Sequence, residues 1–128
     1  MEILPAVSLT EVSDFLRGLD IFVMPSRNLP DHQEHDAHAL IEALANGLPC
    51  VGTRSGIIPE ILGDGTGCIV DPENPAELAR VLKGLILNPA YRNELGLRGR
   101  QKAIQEFALD TLASKKVNIF KRVIDASR

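Results

Sequence analysis

The sequence has no tryptophan, one tyrosine and four phenylalanines, so aromatic residues make up only 4% of it. That scarcity argues against a small all-β domain. Together with an acidic first half, it also argues against nucleic-acid binding, which draws on basic patches and stacking side chains. Cysteine is scarce as well. Cys50 and Cys68 lie inside the apolar runs LPCVGT and GCIVD and read as free thiols packed as small hydrophobes. Two such thiols, with neither a signal peptide nor an apolar run of membrane-spanning length, point to the cytoplasm. The stretch GDGTG lacks the lysine and the spacing of a phosphate-binding P-loop, and no internal repeat or low-complexity linker is seen.

What the chain does have is aliphatic. Its 128 residues are 45% hydrophobic, one domain's worth of buried parallel strands and helices. The net charge of −3 hides an asymmetry: residues 1–79 hold 3 basic and 13 acidic side chains, and residues 80–128 hold 11 basic and 4 acidic. The plain reading of the basic third is the solvated faces of amphipathic helices. The alternative is a surface for an anionic acceptor or for peripheral membrane contact.

Residues 3–7, ILPAV, are a short strand candidate that Pro5 pushes toward an edge. Ser8 and Glu11 form a capping-box pair ahead of a helix with Val12, Phe15, Leu16 and Leu19 facing the core. IFVMP at 21–25 is the continuous apolar run of a strand covered on both faces. The polar loop after it lies where open α/β sheets bind ligands, at the carboxyl end of a parallel strand. Residues 49–53 are the next strand, RSGIIPEIL is a turn with a short helix, and GDGTG leads into the strand CIVD. Asn74, Pro75 and Glu77 are N-cap, N1 and N3 of a helix whose buried face is Leu78, Val81, Leu82, Leu85 and Ile86. Asn88 and Pro89 break it. A helix near 90–106 then carries Leu95, Gly99, Ala103 and Phe107 in one row, whose small members allow close approach to a neighbour. The last helix, about 109–126, carries Leu109, Ala113, Val117, Phe120 and Ile124 on one side.

The chain is organised around EHDAHALIEALANG, residues 34–47. Ala37, Leu40, Ile41 and Leu44 repeat with helical spacing, and Gly47 and Pro49 supply the stop. A helix starting near Asp36 puts Glu34 in the preceding loop and Glu42 two turns along, about 12 Å away at about 1.5 Å per residue. The helix start between them offers free N–H groups at the positive end of a dipole, a seat for phosphate. Strands alternating with helices make this an α/β protein with a parallel sheet.

These blocks carry a resemblance. DIFVMPS, the two glutamates of EHDAHALIE, EALANGLPCVGT, SGIIPEIL and DGTGCIVDPENPAELA, collinear over about residues 3–125, resemble the donor-binding domain of GT-B glycosyltransferases, specifically glycosyltransferase family 4. The resemblance implies a three-layer, Rossmann-like parallel sheet with helices on both faces, the C-terminal part of a GT-B donor-binding domain. It further implies a retaining enzyme that moves a sugar from a nucleotide-diphosphate sugar to an acceptor hydroxyl on a glycan, a lipid-linked or a small molecule, with no metal or other cofactor. By matched positions, Glu34 is the catalytic-site carboxylate on the donor-sugar hydroxyls and Glu42 accepts from the ribose diol. The backbone of Asp36, Ala37 and His38 meets the sugar or diphosphate, and Val7 walls the base pocket. A carboxylate accepts with two oxygens, which suits adjacent hydroxyls.

Departures from the family are specific. His35, Asp36 and Ala37 stand where a glycine-containing segment is common, and Ile57 stands where a second glycine is frequent. Asp36 near a diphosphate would repel it unless it turns to cap the helix. The family's basic residues and acceptor lobe would lie upstream. In the strand order 3-2-1-4-5-6, the present strands match the third to the sixth, which leaves a gap between ILPAV and IFVMP. On this reading residues 1–128 are a partial domain without its N-terminal lobe and with little or no catalysis alone. The reading from another class is a non-catalytic interaction module that pairs with a separate partner lobe. His32, His35 and His38, with Asp31, Glu34 and Asp36, raise a metal site, but their spacing matches no H-E-x-x-H helix and a polar active-site loop accounts for them.

Overall fold

The computed structural model describes residues 1–8, 10–31 and 37–126, without the side chains of 109–116 and 120. Strands β1 (Phe22–Met24), β2 (Cys50–Thr53) and β3 (Cys68–Val70) form a parallel sheet in the order β1-β2-β3. Val23 pairs with Val51, and Gly52 with Ile69. Side chains alternate across the sheet as a two-residue period requires. Phe22, Met24, Cys50 and Ile69 enter the core beneath α1 (Val12–Arg17), α2 (His38–Ala45) and α3 (Ile58–Leu62). Val23, Val51, Cys68 and Val70 enter the core beneath α4 (Pro75–Leu87), which also takes Leu95 of α5 (Pro89–Lys102). The result is the three-layer α/β arrangement that alternating strands and helices require.

One expectation about strands fails. Residues 3–7 are irregular, and Ile3, Leu4 and Val7 are exposed, so ILPAV is not a strand here. A strand needs a neighbour for its N–H and C=O groups, and the described sheet offers none at that position. β1, at the sheet's edge, is only half-buried, yet both its faces are covered: Phe22 and Met24 pack on one core and Ile21 and Val23 on the other.

Helix boundaries follow their local signals more closely. Glu11 accepts hydrogen bonds from the Ser8 N–H at 3.1 Å and the Ser8 hydroxyl at 2.5 Å, closing one half of the capping box, although regular helix begins only at Val12. These bonds hold the exposed Glu11 carboxyl below its usual value. Leu16 is buried, whereas Phe15 is exposed. In α2, Ala37, Leu40, Ala43 and Leu44 are buried. That helix ends in a Schellman turn: Leu48 N–H donates to Ala43 C=O, Gly47 N–H donates to Leu44 C=O, and Gly47 has φ 76°. Asn74 Oδ1 accepts from Glu77 N–H at 3.1 Å with Pro75 at N1, so α4 starts where its sequence says. Ile86, expected on the buried face, is exposed, and Leu85 beside it is the residue of that turn that enters the core.

α5 locks the assembly. A Cβ on Gly99 would lie 2.5 Å from Leu44 Cδ2, and one on Gly96 would lie 2.1 Å from the Gly47 carbonyl oxygen. The small-residue row therefore does permit close approach, and the tightest point is Gly96, outside that row. Lys102, buried at the end of α5, donates to Glu60 C=O at 3.0 Å at the carboxyl end of α3, where a cation suits the helix dipole. Arg92 donates to the carbonyls of Leu85 and Ile86, and Arg98 pairs with Glu94. Lys102 is the one basic side chain buried among the described residues; Arg80, Lys83, Arg98, Arg100, Lys121 and Arg122 are exposed, as solvated helix faces require. A π-helical turn, Ala103–Phe107, follows, then α6 (Leu109–Ala126). Val117 and Ile124, from the apolar row along α6, are exposed, and α6 packs chiefly on the preceding π-helical turn. Among the described residues, no helix is long and apolar enough to cross a membrane.

Candidate functional site

Because the strands are parallel, the loop after β1 and the start of α2 both lie at the carboxyl edge of the sheet. The loop after β1 is pinned there by side-chain-to-backbone bonds. Thr53 Oγ1 donates to Ser26 C=O at 2.6 Å, and Asn28 Nδ2 donates to Arg54 C=O at 3.2 Å. A recess of about 530 Å³ opens at this edge, on the α4 side, lined by the residues that end or follow all three strands: Pro25 and Arg27, Thr53, and Val70 and Asp71. Arg27 faces Glu73 at 3.9 Å across it, and Arg54 pairs with Asp71 at 3.2 Å.

On the opposite face, α2 begins at His38 with Ala37 as N-cap, two residues later than the sequence suggested. Ala37 is buried with φ −108°, so a backbone conformation open to any residue serves where a glycine was the family expectation. Among the described residues no side chain caps this end, and its first turn holds no acidic residue. Glu34 and Asp36, with His32 and His35, lie outside the described residues, and so does the suggestion that Asp36 caps the helix. His38 and Glu42 are exposed one turn apart on α2. Glu42 lines a cleft of about 170 Å³ with Val12 and Ser13 of α1 and with Ala45 and Asn46. Val7 stands in the irregular, exposed N-terminal stretch and not at a strand end. Ile57 forms the N-cap of α3 with φ −82°, again needing no glycine, while its neighbour Gly56 takes the positive φ of 49°.

The sequence reading missed Ser13 and Asn46. Ser13 Oγ donates to Asn46 Oδ1 at 2.9 Å, and Asn46 Nδ2 donates to the Glu42 carbonyl at 2.9 Å. Asn46 had a local signal only as the residue before a helix-stopping glycine. Its bond to a side chain 33 positions away has none.

The thiols behave as packing groups. Burial pushes the Cys50 thiol up to about 12, and its Sγ donates to Leu48 C=O at 3.3 Å. Burial also raises Cys68, partly offset by a hydrogen bond with Tyr91. The two sulfurs belong to cores on opposite faces of the sheet. Among the described residues, no three His, Cys, Asp or Glu side chains cluster as metal ligands would.

A parallel α/β sheet with its polar loops at the carboxyl edge is the class the geometry defines, and the structural neighbours narrow it to the fold of GT-B glycosyltransferase C-terminal domains. Its likeness to the C-terminal domain of a glycosyl transferase group 1 family protein from Francisella tularensis has a TM-score of 0.72 at 26% identity, covering 84% of this chain and 53% of that one. A sucrose-phosphate synthase from Thermosynechococcus elongatus shares the fold with a TM-score of 0.73 at 23% identity, over 88% of this chain and 27% of that one. The family model for glycosyl transferases group 1 matches residues 1–102, and the chain belongs to that family. Among its relatives, a D-inositol 3-phosphate glycosyltransferase of Arthrobacter sp. is 37% identical over 93 residues, 72% of this chain and 21% of that protein. An MMP alpha-(1->4)-mannosyltransferase of Mycolicibacterium hassiacum is 32% identical over 98 residues, 75% of this chain and 24% of that protein. The chain thus spans about a quarter of the length of these relatives.

Proposed function

We propose that the chain is the C-terminal, donor-side part of a family 4, retaining glycosyltransferase, and that it binds a nucleotide-diphosphate sugar. The observation that carries this reading is the arrangement on α2: a start at the carboxyl edge of the sheet with no cap among the described side chains and, on the same helix, an exposed Glu42 in a cleft against α1. The helix start supplies N–H donors and a positive dipole end for the diphosphate through the backbone of Asp36, Ala37 and His38. Glu42 accepts from the two ribose hydroxyls, and Glu34 serves the donor sugar at the point of transfer. Val7 borders the base. Charge on the diphosphate is met by helix and backbone with no metal or cofactor, and the acceptor lobe comes from outside these residues. The acceptor is a hydroxyl of a polyol, glycan or lipid-linked sugar; the D-inositol 3-phosphate in several relatives' names fits a small polyol. The reaction belongs in the cytoplasm, in keeping with the two unpaired thiols.

Calorimetric titration with UDP, GDP and ADP and their sugar conjugates tests this. Binding of one of them is expected, and Glu42→Ala weakens it about 10- to 100-fold, the size of a lost hydrogen bond to a charged group. A Glu42→Ala protein that binds like the parent refutes the assignment. The family match does not favour a purely non-catalytic interaction module.

A further inference from the structure

We infer that Asn46 and Ser13 form a positioning pair that sets the α1–α2 cleft to the width of a ribose and thereby gives Glu42 its selectivity for a 2′,3′-diol. The inference rests on the reading of Glu42 as the ribose acceptor.

The cleft has only two movable walls, α1 and α2. Val12 and Ser13 form the first, and Glu42, Ala45 and Asn46 form the second. Apart from apolar contacts of Val12 and Leu16 with the core, the described tie across it is the bond from Ser13 Oγ to Asn46 Oδ1, 2.9 Å and partly buried. Asn46 is oriented by its own helix. Its Nδ2 donates to the Glu42 carbonyl at 2.9 Å, and its backbone N–H donates to the same oxygen at 3.1 Å. A carbonyl only accepts, so the amide has one workable orientation: nitrogen toward Glu42, oxygen toward Ser13. One side chain thus couples the residue that bears the carboxylate to the helix that faces it.

α1 is only six residues long and its outward face, Phe15 included, is exposed, so it has few other constraints. Without the Ser13–Asn46 bond, α1 is freer to move relative to Glu42. A carboxylate holds both hydroxyls of a diol only when the ring is seated squarely against it. A looser wall lets the ring slide to a single contact. The effect falls on discrimination between ribose and deoxyribose more than on phosphate binding, which depends on the other end of α2.

The test uses UDP, GDP and ADP, each beside its 2′-deoxy counterpart, titrated into the parent, Ser13→Ala, Asn46→Ala, the Ser13→Ala/Asn46→Ala double variant, Ser13→Thr and Glu42→Ala. Thermal melting serves as the folding control. The parent is expected to prefer the ribonucleotide at least tenfold. Ser13→Ala and Asn46→Ala each reduce that preference to threefold or less, the double variant is no worse than the worse single one, and Ser13→Thr, which keeps the hydroxyl, restores it. If Ser13→Ala and Asn46→Ala keep the parent's ratio while Glu42→Ala loses it, the positioning role is refuted and the donor-site reading stands. If Glu42→Ala also keeps the ratio, or the parent shows none, the donor-site reading fails and this inference fails with it.

Discussion

Gly96→Ala places a methyl group where the structure has none to spare. The added Cβ would lie 2.1 Å from the Gly47 carbonyl oxygen, 3.1 Å from the Gly47 carbonyl carbon and 3.5 Å from Pro49 N. All three are backbone atoms of the Schellman turn that ends α2, so no rotamer change relieves the clash. α5 must move off the turn by about an ångström or the turn must open. Overpacking of this kind costs about 1–3 kcal/mol and sometimes more. The 2.1 Å approach to backbone puts this case at the upper end, about 3 kcal/mol, and alanine's better helix propensity returns about 1 kcal/mol, so the net loss is about 2 kcal/mol. Gly84→Ala is the matched control, since a Cβ there meets nothing within 4 Å on the exposed face of α4. The same exchange at that site stabilises by about 0.5–1 kcal/mol. Urea unfolding followed by far-ultraviolet circular dichroism reads both, as the chain has no tryptophan to report by fluorescence. For a domain of this size, melting temperature falls by about 6–10 °C for Gly96→Ala and rises by about 2–4 °C for Gly84→Ala. Because α5 buttresses α2, the proposed donor site predicts that Gly96→Ala also weakens nucleotide binding through the displaced helix. A Gly96→Ala protein as stable as the parent refutes the proposed packing.

Two further predictions concern buried polar chemistry. The Cys50 thiol, raised from 9.0 to about 12 by burial, stays protonated in the fold to higher pH than in the unfolded chain. Its contribution to stability is therefore complete below about pH 9 and is lost as pH rises through about 12. Melting scans from pH 8 to 11 should show this decline, Cys50→Ala should flatten it, and native Cys50 should resist alkylation at pH 8. Lys102→Met keeps most of the stem but removes the ammonium from the Glu60 carbonyl at the end of α3, costing about 1–3 kcal/mol in urea titration.

The helix at the candidate site was legible before the fold, since the stripe of Ala37, Leu40 and Leu44 identified α2. The pairing of Glu34 with Glu42 came from the family resemblance and not from spacing alone, and Glu34 lies outside the described residues. Ser13–Asn46 was not legible, because its partners meet only when two helices pack, and neither residue type signals a distant mate. The buried Lys102 was hidden for a similar reason: lysine in the last turn of a helix reads as solvated, and only the placement of α3 against α5 supplies the carbonyls that hold it.

Short-range chemistry belonged to the sequence alone. Asn74 with Pro75 and Glu77, Gly47 ahead of Pro49, and the alternation along CVGT and CIV all act within a few residues, where backbone sterics and hydrogen bonding leave few choices. Only the tertiary structure decided that ILPAV is not a strand, that Gly96 rather than Gly99 is the closest point of α5, and that Cys50 and Cys68 face opposite cores. Each of those outcomes depends on which distant segment arrives as a neighbour, and a strand, a close contact or a buried charge exists only where the neighbour is present to complete it.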